Sequence, residues 1–205
     1  MDDIKGRLSK GTFVSIAAAS FSIYAYEALK EELEQVEQLR FIFTSPTFIK
    51  DKSKKEKREF FIPKLNRERN LYGTDFELRL RNQLSQKAIA KECADWIRRK
   101  VQFRSNASQE QMGGFMHVNN ETQRVYLPFN EFTTTQLGCE RGANVYNVVN
   151  VLPSPTANAY LEIFNEQWNN DEKFEDVTKR ILEYIDTVYQ ENAPEYVYFI
   201  ALYNI

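Results

Sequence analysis

The chain has 205 residues and a formal net charge of −2, from 27 Lys and Arg against 29 Asp and Glu, and 42% of its residues are hydrophobic. A chain of this length and composition buries a sizeable core, which excludes an intrinsically disordered protein and makes a disulfide scaffold unnecessary. Its 11 tyrosines and 15 phenylalanines favour a β-rich or mixed architecture over a pure helical bundle.

The first part of the chain predicts a β–α–β unit. A short helix over 2–9 is followed by an apolar strand over 12–19, and Ser20 or Ser22 is the expected cap of the next helix. Apolar residues recur in that helix every three or four positions, and a second strand over 39–44 follows it. Because such units join parallel strands by right-handed crossovers, the two strands are expected to be parallel and buried.

The rest of the chain predicts further strands and then helices. Residues 47–83 are expected to be irregular with one or two short helices, and an apolar stripe predicts a long helix over 84–99. The next predicted elements are strands over 101–104, 114–118 and 124–128, a short helix over 132–137 and a strand over 143–152. After Pro155 the pattern is helical, and it ends in the apolar run 196–205, from which we expect the native chain to continue.

These elements predict an α/β fold with a mixed sheet flanked by helices. Residues 1–153 form the predicted α/β domain. Residues 154–205 form a helical C-terminal segment that packs on this domain or leads into a further region of a longer chain.

The location predicted for the protein is the cytoplasm. Cys93 and Cys139 have no metal-type spacing and are expected to be reduced thiols. Residues 1–10 do not form a signal peptide, and no apolar run approaches the roughly 20 residues that a membrane span needs. We therefore expect no membrane partner.

Positive charge is concentrated in the middle of the chain. Residues 50–104 hold 17 Lys and Arg against 8 Asp and Glu, whereas residues 155–205 hold 3 against 10. This asymmetry predicts a middle surface that faces a polyanion, although a lysine-rich run is also typical of a solvated helix face. The cations of the predicted phosphate-binding surface are Lys54, Lys55, Lys57, Arg58, Arg98, Arg99, Lys100 and Arg104. Rings interleaved with these cations, such as Phe103, suit the stacking of unpaired bases or belong to the core.

His117, the only histidine of the chain, is the candidate catalytic residue. Imidazole is suited to proton transfer and nucleophilic attack near neutral pH, but a lone histidine is also commonly structural. Phosphoryl transfer through a phosphohistidine needs a second imidazole as acid, which here must come from a symmetric partner. Asn119, two residues further on, can hydrogen-bond a phosphate but brings no charge.

Other chemistries lack a motif in this sequence. The chain has no glycine-rich loop ending in Gly-Lys-Ser or Gly-Lys-Thr and no Gly-x-Ser-x-Gly elbow. One histidine and scattered acidic residues do not support a metal site. No metal and no cofactor are therefore expected in this segment.

The strand order and the motif around His117 resemble the phospholipase D-like family. In that family a strand carries His-x-Lys, and the following strand leads to a Gly-Ser-x-Asn-x-Thr-type turn and a Leu-Gly. His117 matches the histidine, Asn130 and Thr133 match the turn, and Leu137 and Gly138 match the Leu-Gly.

This sequence departs from the family motif at two places. Asn119 stands at the lysine position, and Pro128 and Phe129 stand where Gly-Ser is found. The resemblance therefore implies a phospholipase D-like fold with a degenerate His-x-Lys motif. Its remnant pocket is expected to be lined by His117, Asn119, Asn130 and Thr133.

Two longer blocks carry a more specific resemblance. Residues 11–29, and residues 41–48 with 56–101, are similar to the N-terminal region of large bacterial superfamily-two (Swi/Snf-like) helicases. Those proteins join a phospholipase D-like domain to an ATPase, and the likeness extends from about residue 10 to 205. It implies an accessory DNA-facing domain whose partner is the remainder of the helicase chain, where ATP binding and hydrolysis reside.

Three functions follow as hypotheses. The first is a catalytically degenerate accessory domain of a helicase. This domain binds nucleic acid through the cationic surface. The second is a phosphodiesterase or nuclease that is active as a homodimer through His117. The third is a protein-docking module that acts through residues 196–205.

Overall fold

A computed structural model of the chain describes residues 2–45, 83–108, 110–139 and 149–190. The described strands are β1 (Phe13–Ala18), β2 (Gln38–Phe43), β3 (Val101–Asn106), β4 (Phe115–Asn119), β5 (Gln123–Leu127), β6 (Asn150–Pro153) and β7 (Phe174–Asp176). The described helices are α1 (Asp2–Arg7), α2 (Ile23–Ala28), α3 (Lys30–Leu33), α4 (Gln83–Lys100), α5 (Thr156–Trp168) and α6 (Thr178–Gln190). None of these helices is both long enough and apolar enough to cross a membrane.

The strands form one seven-stranded mixed sheet in the order β6-β5-β4-β1-β2-β3-β7. The central strands β1, β2 and β3 are parallel, and the outer strands are antiparallel to their neighbours. This arrangement confirms the predicted α/β class and mixed sheet. It also confirms the parallel pair of the first β–α–β unit.

The helix after β1 begins where the sequence predicts and breaks earlier than predicted. The side chain of Ser22 caps α2 by accepting hydrogen bonds from the backbone N–H groups of Tyr24 and Ala25. At Leu29 the backbone leaves the helical region, with φ −119° and ψ 14°, so the predicted continuous helix is divided into α2 and α3. The break sets α3 against α4, where Trp96 Nε1 donates to the Leu33 carbonyl at 3.1 Å.

Apolar side chains are buried on both faces of the sheet. The larger cluster lies under α2, α4 and α6 and includes Trp96 and Phe103, both with no exposed area. Full burial of one such side chain contributes about 1.5–3 kcal/mol to stability. The smaller cluster lies under α5 and includes Ala17, Ile42 and Phe164. Phe103 is therefore a core residue and not a free ring beside the cations.

The described part of residues 154–205 belongs to the same sheet and the same clusters. The helices α5 and α6 occur there, but the short strand β7 lies between them, so this part is not the purely helical segment that the sequence predicts. Strand β7 pairs with the edge of β3. Ile181 and Ile185 of α6 join the larger cluster, and Phe164 of α5 joins the smaller one.

Several predicted elements lie outside the described residues. These are the segment 47–83, apart from the first residue of α4, most of the strand predicted over 143–152, and the apolar run 196–205. Lys54, Lys55, Lys57 and Arg58 fall in the first of these segments.

Candidate nucleic-acid interface

The His117 side chain lies in the middle of the sheet and is fully buried. On β4 it is paired with Ser15 of β1 and Val125 of β5. Burial lowers the pKa of His117, the Gln123 side chain nearby acts in the opposite direction, and the charge of Arg40 lowers it further. Neither ring nitrogen makes a hydrogen bond of normal geometry with the described residues. At neutral pH His117 is therefore a neutral imidazole shielded from solvent.

Arg40 lies in the same cross-strand row, on the other side of Ser15. Its Nη2 donates to Ser15 Oγ at 3.2 Å and to Asn165 Oδ1 at 2.9 Å. The guanidinium carbon is 5.0 Å from the ring centroid of Phe164 and 5.4 Å from that of Trp168, so α5 holds the group by cation–π contacts. No carboxylate among the described residues forms an ion pair with Arg40.

The other residues of the predicted pocket lie toward opposite ends of β4. Asn119 is half-buried on the same face as His117, at the end of β4 that pairs with Phe13. Asn130 lies beyond the start of β4, where its carbonyl accepts a hydrogen bond from the Ala19 N–H at 2.7 Å. Thr133 follows it, is buried, and accepts from the Gln136 N–H at 3.2 Å. The fold brings Asn119 close to His117 and places Asn130 and Thr133 at the far end of the strand, about 13 Å from Asn119 along it.

Gly114 explains why the chain after β5 approaches β4 so closely. A Cβ at this position would lie 2.5 Å from the Phe129 carbonyl oxygen and 2.8 Å from the Asn130 Cα. The Phe129 N–H donates to the Gly114 carbonyl at 2.9 Å. The absence of a side chain at Gly114 is therefore what allows the Asn130 segment to pack there.

The described members of the predicted cationic surface all have protein partners. Arg98 donates to both carboxylate oxygens of Asp186, at 2.7 and 2.8 Å, and to Asp95 at 2.9 Å. Arg99 pairs with Glu34 at 2.9 Å. These residues form the last turn of α4, where cations also stabilise the helix end electrostatically.

Lys100 and Arg104 are held mainly by backbone oxygens. Lys100 Nζ donates to the carbonyls of Glu34 and Val36, at 2.6 and 2.8 Å. Arg104 donates to the carbonyl of Trp168 and pairs with Asp171. The hydrogen bonds of Lys100 therefore connect the chain before β2 to the end of α4. Those of Arg104 connect the end of α5 to the sheet.

A groove of about 570 Å³ opens at the sheet edge where the parallel strands begin. Its lining, called the edge groove below, consists of Phe13, Glu37, Gln38, Ile97, Arg98, Arg99, Lys100, Val101, Gln102, Thr178 and Leu182. Three of the predicted phosphate-binding cations, Arg98, Arg99 and Lys100, are thus brought together in one concave site. Arg104 is not part of it.

Phe13 also lines this site, although the sequence did not single it out as a functional residue. It is 47% exposed, and it is the one exposed aromatic ring among the residues whose burial is described. The signal available in the sequence was the alternation Phe13, Ser15, Ala17, in which the two residues that share its face are small. An apolar run alone predicts burial and does not reveal where the covering helix ends.

Within the described ranges, no three His, Cys, Asp or Glu side chains are grouped in a way that could hold a metal ion. The chain was also compared with protein-family models, with curated proteins and with solved structures, and none of the three comparisons found a match.

Proposed function

We propose that this chain is a nucleic-acid-binding accessory domain of a cytoplasmic, ATP-dependent bacterial helicase, with a phospholipase D-like fold and without phosphodiesterase activity of its own. The observation that carries the binding part is the edge groove, with Arg98, Arg99 and Lys100 in its wall. DNA is the proposed ligand. The helicase context, with ATP binding in the remainder of the chain, rests on the sequence resemblance over residues 10–205.

The ion pairs at the groove do not prevent phosphate binding. The side chains of Arg98 and Arg99 are 44% and 55% exposed, and a surface ion pair of this kind contributes about 0–1 kcal/mol. A phosphate contact additionally releases counterions from the nucleic acid, which favours binding strongly at low salt. Replacing a carboxylate partner by a phosphate therefore costs little free energy at each arginine.

The surroundings of His117 support the absence of catalysis. A nucleophile must contact its substrate, whereas this side chain has no exposed area. The residue at the lysine position of the family motif is Asn119, which supplies no positive charge to a phosphate. Asn130 and Thr133 lie toward the other end of β4.

Titration of DNA binding with salt tests the proposal. Fluorescence anisotropy with a labelled oligonucleotide should detect binding at low ionic strength and a linear fall of log K with log salt concentration. Lack of binding at low salt, or binding that salt does not weaken, would contradict the proposal.

A further inference from the structure

We infer that the edge groove binds single-stranded nucleic acid, with one unpaired base stacked on Phe13 and the backbone phosphates at Arg98, Arg99 and Lys100. This inference rests on the proposed function and names its ligand more closely. It follows from which part of the sheet α5 covers and which part it leaves open.

On the α5 side of the sheet, exposure increases from His117 and Ser15 to Asn119 and Phe13, toward the groove. Register places His117, Ser15 and Arg40 in one row, and Asn119, Phe13 and Gln38 in the next row toward the strand ends. His117 and Ser15 are buried, Asn119 and Gln38 are half-buried, and Phe13 is exposed. The aromatic ring thus stands at the border between the covered sheet and the groove.

The side chains around Phe13 are amides. Gln38 and Asn119 flank it on the neighbouring strands, and Gln123 is paired with Asn119. Gln102 is paired with Arg40 in the row of His117. Amide groups both donate and accept hydrogen bonds, so they match the edges of bases that have no pairing partner. A ring surrounded by amides on an open sheet surface is a suitable platform for an unpaired base.

Arg40 adds a cation to the same face. It is half-buried against the rings of Phe164 and Trp168, its Nη2 donates to Ser15 and Asn165, and it lies one row away from Gln38 of the groove lining. Since no carboxylate among the described residues pairs with Arg40, its positive charge adds to the attraction of this face for an anion. The groove lining holds three cations and the carboxylate of Glu37, and a phosphate at Arg98 or Arg99 replaces a carboxylate partner that lies beside the lining.

These features favour a single strand over a duplex. In a duplex the base faces are stacked on one another and are not accessible to a protein ring, so only phosphates and base edges would reach the groove. An unpaired strand places a base on Phe13 while its phosphates contact the α4 end. Stacking of a base on an aromatic ring is also tolerant of sequence, so no strong sequence preference is expected.

Binding of two probes to ring variants tests the inference. The probes are a fluorescent oligothymidylate and a blunt duplex of equal charge, titrated at low salt. The expected result is tighter binding of the oligothymidylate, and about a tenfold loss of that binding in Phe13→Ala and Phe13→Leu with duplex binding unchanged. Phe13→Tyr, which keeps a ring, should bind as the native chain does. Ile163→Ala, at an exposed apolar residue of α5, is the matched control and should also leave binding unchanged.

The outcomes separate this inference from the proposed function. If both probes bind with salt dependence but the Phe13 variants are unaffected, or lose both probes equally, the base-stacking inference is overturned and the cationic binding surface stands. If neither probe binds at low salt, the proposed function fails and the inference fails with it. Loss of oligothymidylate binding in Phe13→Tyr as well would also overturn the role of the ring.

Discussion

Arg98 on α4 donates from a single nitrogen to both carboxylate oxygens of Asp186 on α6, at 2.7 and 2.8 Å. This contact raises the pKa of Arg98 and joins the two helices beside the edge groove. The same guanidinium is therefore both a packing contact and a candidate phosphate ligand. The two roles compete, and the competition can be measured.

Asp186→Asn is predicted to bind DNA more tightly than the native chain. The substitution keeps the size of the side chain and removes the charge that competes with phosphate at Arg98. Because a surface ion pair contributes about 0–1 kcal/mol, the gain should be up to about fivefold in affinity, with a loss of stability of at most about 1 kcal/mol. Anisotropy titration and urea unfolding measure the two quantities. A weaker affinity would show that Arg98 is held in place by Asp186 for binding.

The buried His117 should make the free energy of unfolding depend on pH. Burial lowers the pKa of this side chain below its usual 6.5, so the unfolded chain binds a proton more readily than the folded chain. The stabilisation from neutral His117 is complete above pH 6.5 and is lost as the pH falls from 6.5 toward the folded pKa. Urea unfolding between about pH 5 and pH 8 should show this slope. His117→Gln should flatten it, and a slope that persists in this variant would assign it to other groups.

Gly114→Ala is predicted to destabilise the fold by about 1–3 kcal/mol, since the added Cβ meets backbone atoms that cannot rotate away. Gly113→Ala is the matched control, because a Cβ there has no atom within 4 Å. Thermal or urea unfolding of the two variants measures the difference. Equal stability of the two would mean that the Asn130 segment does not pack against β4 as described.

The rival phosphodiesterase function makes an opposite prediction about His117. A buried imidazole should give no turnover of a chromogenic phosphodiester or of DNA, at any protein concentration that would populate a dimer. Assay of the native chain beside His117→Ala tests this. Cleavage by the native chain that is lost in His117→Ala would establish the homodimeric enzyme and contradict the proposed function.

The sequence predicts most of the local elements because their patterns are local, but residues 132–137, predicted as a short helix, form a bridge and turns. Strands β1 to β5 and α4 follow from alternation and an apolar stripe, and the Ser22 cap follows from residue type. The strand β7 was missed because three residues carry no period, and it exists only through pairing with β3. The break at Leu29 likewise depends on how α3 meets α4.

The candidate site is less predictable because it depends on contacts between distant segments. The sequence predicts Arg98, Arg99 and Lys100 as a cationic cluster, and the fold assembles them in one groove. It does not predict the ion pair of Arg98 with Asp186 on α6 or that of Arg99 with Glu34, which follows α3. Nor does it predict that His117 and Ser15 are buried on the α5 side of the sheet while Phe13, in the next row, is exposed.

The most direct measurement is the salt dependence of duplex DNA binding by the triple variant Arg98→Gln, Arg99→Gln, Lys100→Gln. Loss of three phosphate contacts should weaken binding at low salt and make the slope of log K against log salt shallower by about 2–3. Lys173→Gln is the matched control, because Lys173 has similar exposure and an ion pair to Glu110 but does not line the groove. The proposed function predicts a shallower slope for the triple variant and a native slope for the control. A native slope in the triple variant would contradict it.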